Sequence, residues 1–89
     1  MKMQQITIPN KLGLHARAAA RLVTTASRFT AEVYLEKEQA RVNGKSIMGV
    51  MMLAASQGTR LNIITDGVDE EAAMEALVAL IEDRFGEPE

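Results

Sequence analysis

One residue in this chain is equipped for chemistry that no other residue duplicates: His15, the only histidine among 89 residues. It sits in the run Asn10-Lys11-Leu12-Gly13-Leu14-His15-Ala16-Arg17-Ala18-Ala19-Ala20. A strand-like pattern stops at Pro9 and an alanine-rich helical pattern starts at Ala16. His15 therefore falls at a helix N-cap, where Ser, Thr, Asp or Asn is expected. Arg17 follows in the first turn, and no acid accompanies it. Helix N-termini carry partial positive charge and unpaired N–H donors, so acids belong there and cations do not. An imidazole and a guanidinium at that end break a local rule, and such breaks mark functional sites. The group that would repair the rule is an anion, and phosphate is the usual one.

The chain carries its own control. The last helix opens Asp66-Gly67-Val68-Asp69-Glu70-Glu71, with acids where the dipole prefers them. It is expected to close on Arg84-Phe85-Gly86, a cation in the last turn followed by a glycine cap. The plain alternative is that Arg17 points into water and His15 caps by accident. That costs only about 0.3–1 kcal/mol, which folded proteins tolerate.

Composition narrows the chemistry. The length suits one domain spanning residues 1–89. A chain of this size buries roughly 60–65% of the surface it exposes when unfolded, enough for one core without staples. There are no cysteines, which excludes disulfides, thiolate metal sites and thiol catalysis. No stretch is long and apolar enough to span a bilayer, and Met1-Lys2-Met3-Gln4-Gln5 lacks the apolar run of a secretory signal. A cytoplasmic protein without membrane insertion is the expectation. The formal net charge of −2 speaks against nucleic-acid binding. Charge is nevertheless uneven: Lys11, Arg17, Arg21 and Arg28 surround the first helix, and no acid occurs before Glu32. A local positive patch on an acidic protein suits an anion or an acidic protein surface.

The elements that must position His15 follow from periodicity. Gln4–Ile8 alternates and reads as a strand. Ala16 to about Ser27 reads as a helix, with Ala19, Leu22, Val23, Ala26 and Phe29 at core spacing. Glu32–Glu36 alternates, and a turn around Lys37-Glu38-Gln39 leads to Ala40–Asn43, a hairpin. Asn43-Gly44-Lys45-Ser46 is a turn ending in an N-cap serine, followed by a short helix from Ile47 to about Ala55 that Gly58 breaks. Thr59–Thr65 is a strand. The last helix spans about Asp69 to Phe85, with Ala73, Leu77, Leu80 and Ile81 inward. The tail Glu87-Pro88-Glu89 is expected to fray. The order is β-α-β-β-α-β-α, which can bury one sheet face under helices and leave the other wet.

The short helix is apolar nearly all round. Val50, Leu53 and Ala54 share one side, while Ile47, Met48 and Met51 share an adjoining one. A helix this short cannot bury both. Methionines make an adaptable docking surface, although the same residues can also fill gaps in a core.

Two segments carry a family resemblance. Gly13-Leu14-His15-Ala16-Arg17 resembles the active-site motif of HPr, the histidine-containing phosphocarrier of the bacterial phosphoenolpyruvate:sugar phosphotransferase system. Asn43-Gly44-Lys45-Ser46-Ile47-Met48-Gly49-Val50-Met51 is similar to that family's regulatory-serine motif. The likeness extends over the whole chain in length, element order and motif spacing. It implies an α+β fold, an open-faced β-sandwich in which a four-stranded antiparallel sheet carries three helices on one face. It implies that His15 accepts a phosphoryl group at Nδ1 from phosphorylated enzyme I and passes it to IIA domains of sugar permeases or regulators. Arg17 would stabilise the phosphoryl group, Ser46 would be a site for an HPr kinase/phosphorylase, and Ile47, Met48 and Met51 would dock partners. The family often has proline at the position of Ala18. Alanine preserves the helix but not the fixed φ of proline in its first turn. The sugar-transport and nitrogen-regulatory branches both stay open on this sequence.

The residues fit that chemistry on their own terms. Imidazole, with an unperturbed pKa of about 6.5, is a nucleophile near neutral pH. Arg17 and the positive helix end stand beside the ring. After transfer they would face a dianionic phosphoryl group with N–H donors and a guanidinium fork. No acid–base partner appears in the motif, and none is required, because phosphoryl transfer is mainly positioning and charge stabilisation. The expected molecule is a monomeric carrier, a substrate of enzymes more than an enzyme, with no cofactor and no metal.

Other function classes fit less well. A purely regulatory, Ser46-switched binding module of the same family is the alternative; the presence of His15 disfavours it as the sole role. A stand-alone hydrolytic or metal enzyme lacks partners for a single histidine. A ferredoxin-like RNA binder lacks aromatics for base stacking. Gly44-Lys45-Ser46 ends like a nucleotide-binding loop, but Gln39 occupies the position that loop requires as glycine.

Overall fold

Four alternating segments build a sheet, and three helical segments cover one side of it. The computed structural model describes residues 1–89. The strands are β1 (Lys2–Thr7), β2 (Glu32–Lys37), β3 (Ala40–Asn43) and β4 (Arg60–Asp66). The helices are α1 (Ala16–Ala26), α2 (Ile47–Met52) and α3 (Glu70–Glu82), with a 3-10 turn over Arg84–Gly86. Sheet order is β1-β4-β2-β3, every neighbouring pair antiparallel. This is the α+β open-faced sandwich that the family resemblance implies.

Register decides which side chains meet the helices. Leu61 and Ile63 of β4 stand opposite Ile6 and Gln4 of β1, and Ile63 also faces Leu35 of β2. Val33, Leu35, Leu61 and Ile63 pack against Ala18, Ala19, Leu22 and Ala26 of α1 and against Val50, Leu77 and Ile81. Small residues along α1 let that helix lie close to the sheet. The open face is not uniformly wet. Ile64 sits there in a row with Met3 and Tyr34, and it is only 2% exposed. Arg41 stacks over the Tyr34 ring, 5.5 Å from its centre.

Helix ends depart from the sequence reading, each for a tertiary reason. The α1 helix stops at Ala26, and Phe29 lies beyond it, half-buried, with its carbonyl taken by Lys45 Nζ at 2.7 Å. The α2 helix stops at Met52 rather than near Ala55. Ala54 turns into the left-handed region at φ 51°, so the break comes four residues before Gly58. Beyond it, Ala55 is buried and its carbonyl accepts the N–H of Leu14 at 2.8 Å, which pulls the chain out of the helix. The α3 helix begins on the expected acids, Glu70 and Glu71, but its last turn carries no cation. Arg84 belongs to the following 3-10 turn instead. A second cation reaches that turn: Arg21, from α1, donates to the carbonyl of Phe85. Phe85 is fully buried at a left-handed φ of 56°, and burial of the ring offsets that strain.

The tail is not frayed. The N–H of Lys11 donates to the carbonyl of Glu89 at 2.8 Å, and Lys11 Nζ lies 3.5 Å from the Glu89 carboxylate. Residues 87–89 are thereby strapped across the loop that precedes His15.

Candidate functional site

The loop before α1 is shaped by two small residues. Asn10 is fully buried and donates from Nδ2 to the carbonyl of Gly13 at 2.9 Å, while the N–H of Gly13 donates back to the carbonyl of Asn10 at 3.2 Å. Gly13 has φ 67°, and a Cβ there would lie 2.4 Å from the Ala55 carbonyl oxygen. Only glycine allows both the turn and that close approach. The next N–H, from Leu14, makes the bond to Ala55, so the loop is anchored to the segment after α2.

This anchoring delivers His15 to the start of α1. Its backbone is extended and its carbonyl accepts from Ala19, as a cap residue requires. Its Nδ1 accepts from the backbone N–H of Arg17 at 3.3 Å. The imidazole thus does the work of a capping oxygen, and its ring is held with Nδ1 toward the donor-rich helix end. The side chain stays 30% exposed, open to a partner. Arg17 is exposed on the first turn, with no acid within ion-pair distance. The first turn holds no acidic residue, so the inverted charge pattern is present in three dimensions.

Sequence reasoning missed one member of the site. The Nε2 atom of His15 bonds to Oε2 of Glu87, from the docked tail. The other oxygen, Oε1, accepts from Nδ2 of the buried Asn10 at 2.9 Å. The bond from Asn10 holds the Glu87 carboxyl below the usual carboxylate range, with smaller help from His15 and from the nearby charge of Arg17. Glu87 and His15 are 72 residues apart, so no local spacing announces the pair. The one available signal was charge: the His15 region is rich in cations and lacks acids, and the tail supplies two.

The second motif lies at the far end of α2. Ser46 is the N-cap, its Oγ accepting from the N–H of Gly49 at 3.1 Å. The N-terminus of α2 is tied to the end of α1 through Lys45 and Phe29, and its C-terminus to the start of α1 through Leu14 and Ala55. The two helices therefore run antiparallel, with Ser46 and His15 at opposite ends. Between them, Ile47, Met48 and Met51 are exposed at 44%, 73% and 41%, joined by Met52. Val50 and Leu53 are buried as expected, whereas Ala54 is exposed and Ala55 takes its place inside.

Residues 2–83 match the family model described as "PTS HPr component phosphorylation site". The chain belongs to the HPr family. It is 57% identical to the phosphocarrier protein HPr of Neisseria meningitidis across the full length of both chains. It is 52% identical to HPr of Pseudomonas aeruginosa, again over all of both. Its fold superposes on an HPr of Thermoanaerobacter tengcongensis with a TM-score of 0.97 at 52% identity, covering all of both chains. An HPr-like protein Crh of Halalkalibacterium halodurans is 50% identical over 92% of this chain and 98% of its own. Matches to HPr carriers over the whole length outweigh those to Crh, and the function is that of a phosphocarrier in a phosphotransferase relay. No helix is long and apolar enough to cross a membrane.

Proposed function

We propose that His15 is the residue on which this HPr carries its phosphoryl group. Phosphorylated enzyme I would donate the group, and a IIA domain or protein would receive it. The observation that carries the reading is the placement of Nδ1, 3.3 Å from the backbone nitrogen of Arg17 at the N-terminal end of α1. In the transfer, the bond from phosphorus to enzyme I breaks as an Nδ1–P bond forms. Helix N–H groups and the exposed, unpaired Arg17 guanidinium then face the phosphoryl oxygens. Ile47, Met48 and Met51 form the partner-docking surface, and Ser46 is the point at which an HPr kinase/phosphorylase would switch docking off. The carrier acts as a cytoplasmic monomer with no cofactor.

The test is incubation with labelled phosphoenolpyruvate and enzyme I. One acid-labile, base-stable label is expected on His15 and none on His15→Ala, with onward transfer to a IIA protein. Full labelling of His15→Ala would overturn the assignment.

A further inference from the structure

Glu87 is a nearly buried carboxylate in direct contact with His15, and carrying a phosphoryl group does not by itself require one. The side chain is 9% exposed. Its mounting is stiff: Asn10, fully buried and braced on Gly13, holds Oε1 before Pro88, and two contacts from Lys11 hold Glu89 after it. A surface acid that met the histidine by chance would not need these supports.

A neutral imidazole has one N–H and one lone pair, and its neighbours decide which nitrogen has which. At Nδ1 the neighbour is a backbone N–H, which can only donate, so Nδ1 must hold the lone pair. At Nε2 the neighbour is an ionised carboxylate, which can only accept, so Nε2 must hold the proton. Both demands select the same tautomer. Asn10 cannot reverse its amide to relax the arrangement, because both groups that face its Nδ2 are acceptors.

We propose that Glu87 is a positioning residue for phosphoryl acceptance: its carboxylate takes the Nε2–H of His15 and leaves Nδ1 as the nucleophilic nitrogen at the end of α1. This rests on His15 being the phosphoryl acceptor. When the Nδ1–P bond forms and the donor's bond to phosphorus breaks, no proton leaves the ring. The ring becomes cationic with Nε2–H in place, and Glu87 neutralises that charge from the edge opposite the phosphoryl group.

The test compares Glu87→Gln and Glu87→Ala with the unmodified full chain. Glutamine matches the shape but has a single oxygen. If that oxygen stays on Asn10 Nδ2, the amide NH₂ points at Nε2 and forces the wrong tautomer. Alanine leaves the ring free to sample both. Ring ¹⁵N shifts of His15 read the tautomer, and stopped-flow transfer from phosphorylated enzyme I reads acceptance. The unmodified protein should be almost wholly the Nε2–H form. Glu87→Gln should gain Nδ1–H and slow the saturating rate roughly tenfold or more, with KM little changed. Glu87→Ala should be slowed less. A merely structural role predicts the reverse order, since glutamine is the milder change in shape. Unaltered ¹⁵N shifts in Glu87→Gln, or a Glu87→Gln rate equal to or above that of Glu87→Ala, would overturn the proposal. Failure of the unmodified protein to be labelled on His15 would instead overturn the assignment of the acceptor.

Discussion

At the scale of single residues, the site is an inversion of ordinary helix design. His15 caps α1 with a ring nitrogen, and Arg17 places a cation in a first turn that has no acid. The stability cost of the cation is small, and removing it should leave folding unchanged or better by a few tenths of a kcal/mol. In the role proposed for it, the cation becomes favourable when a phosphoryl dianion arrives. Arg17→Ala should therefore melt at or slightly above the temperature of the unmodified protein, yet accept and donate the phosphoryl group markedly more slowly. Thermal denaturation beside transfer kinetics checks this; a clear loss of stability with normal transfer would make Arg17 a structural residue. Ser46 follows the ordinary rule, and Ser46→Ala should lose about 1 kcal/mol as a cap while His15 is still phosphorylated.

At the scale of elements, helix ends hold the informative strain. Ala54 sits at φ 51° just after α2, in a conformation that disfavours an L side chain by roughly 1–2 kcal/mol. Glycine there would lose about 0.5–1 kcal/mol through the unfolded state, so Ala54→Gly should stabilise by about 0.5–1 kcal/mol. The change should appear as a melting temperature higher by a few degrees. A lower melting temperature would mean that the alanine methyl contributes more than the strain costs. The start of α3 offers a pH test. Asp69 does not cap its own helix; its carboxylate accepts from the N–H of Thr30 at 2.9 Å and of Ala31 at 2.8 Å. The Thr30 bond leads in holding the Asp69 carboxyl below its ordinary value, with Ala31 adding to it. Its folded value being the lower one, the stability it contributes is complete above the unfolded carboxyl range and disappears as pH falls through the folded value. The difference in denaturation midpoint between the unmodified protein and Asp69→Asn should be widest near neutral pH and close on acidification. A gap independent of pH would place the effect outside the ionised carboxylate.

At the scale of the whole molecule, the antiparallel pairing of α1 and α2 separates His15, the proposed carrier, from Ser46, the proposed switch. An 11-residue helix spans about 16 Å at 1.5 Å per residue. That exceeds the screening length of roughly 8–10 Å at physiological salt. In the proposed role, charge on Ser46 would therefore act on a partner lying across Met48 and Met51 rather than on the imidazole. Ser46→Asp should raise the concentration of enzyme I needed for transfer, with phosphoserine larger in effect at roughly 5- to 150-fold. Phosphorylation of His15 by a small donor such as phosphoramidate should be unaltered. Met51→Glu should behave like Ser46→Asp in a binding titration while circular dichroism stays unchanged. A slower reaction with the small donor would show direct coupling between the two ends.

The sequence by itself determined whatever depends on neighbours within a few residues. The cap serine, the reversed charges around His15, the alternation of β2 and the acids opening α3 are all local, because capping bonds and side-chain periodicity act over one or two turns. Ala18 and Met74 are also buried on helix faces the pattern indicates, although spacing alone did not single them out. Only tertiary structure decided the rest. The end of α2 and the 3-10 turn that follows α3 are held by bonds from Leu14 and Arg21, each far along the chain from the carbonyl it reaches. Ile64 is buried on the open face because Met3 and Tyr34 flank it in register. Glu87 reaches His15 because Lys11 and Asn10 hold a three-residue tail that has no periodic or capping pattern of its own. A carboxylate gains a partner through direction and distance in three dimensions, and neither is written in the spacing of residues 72 apart.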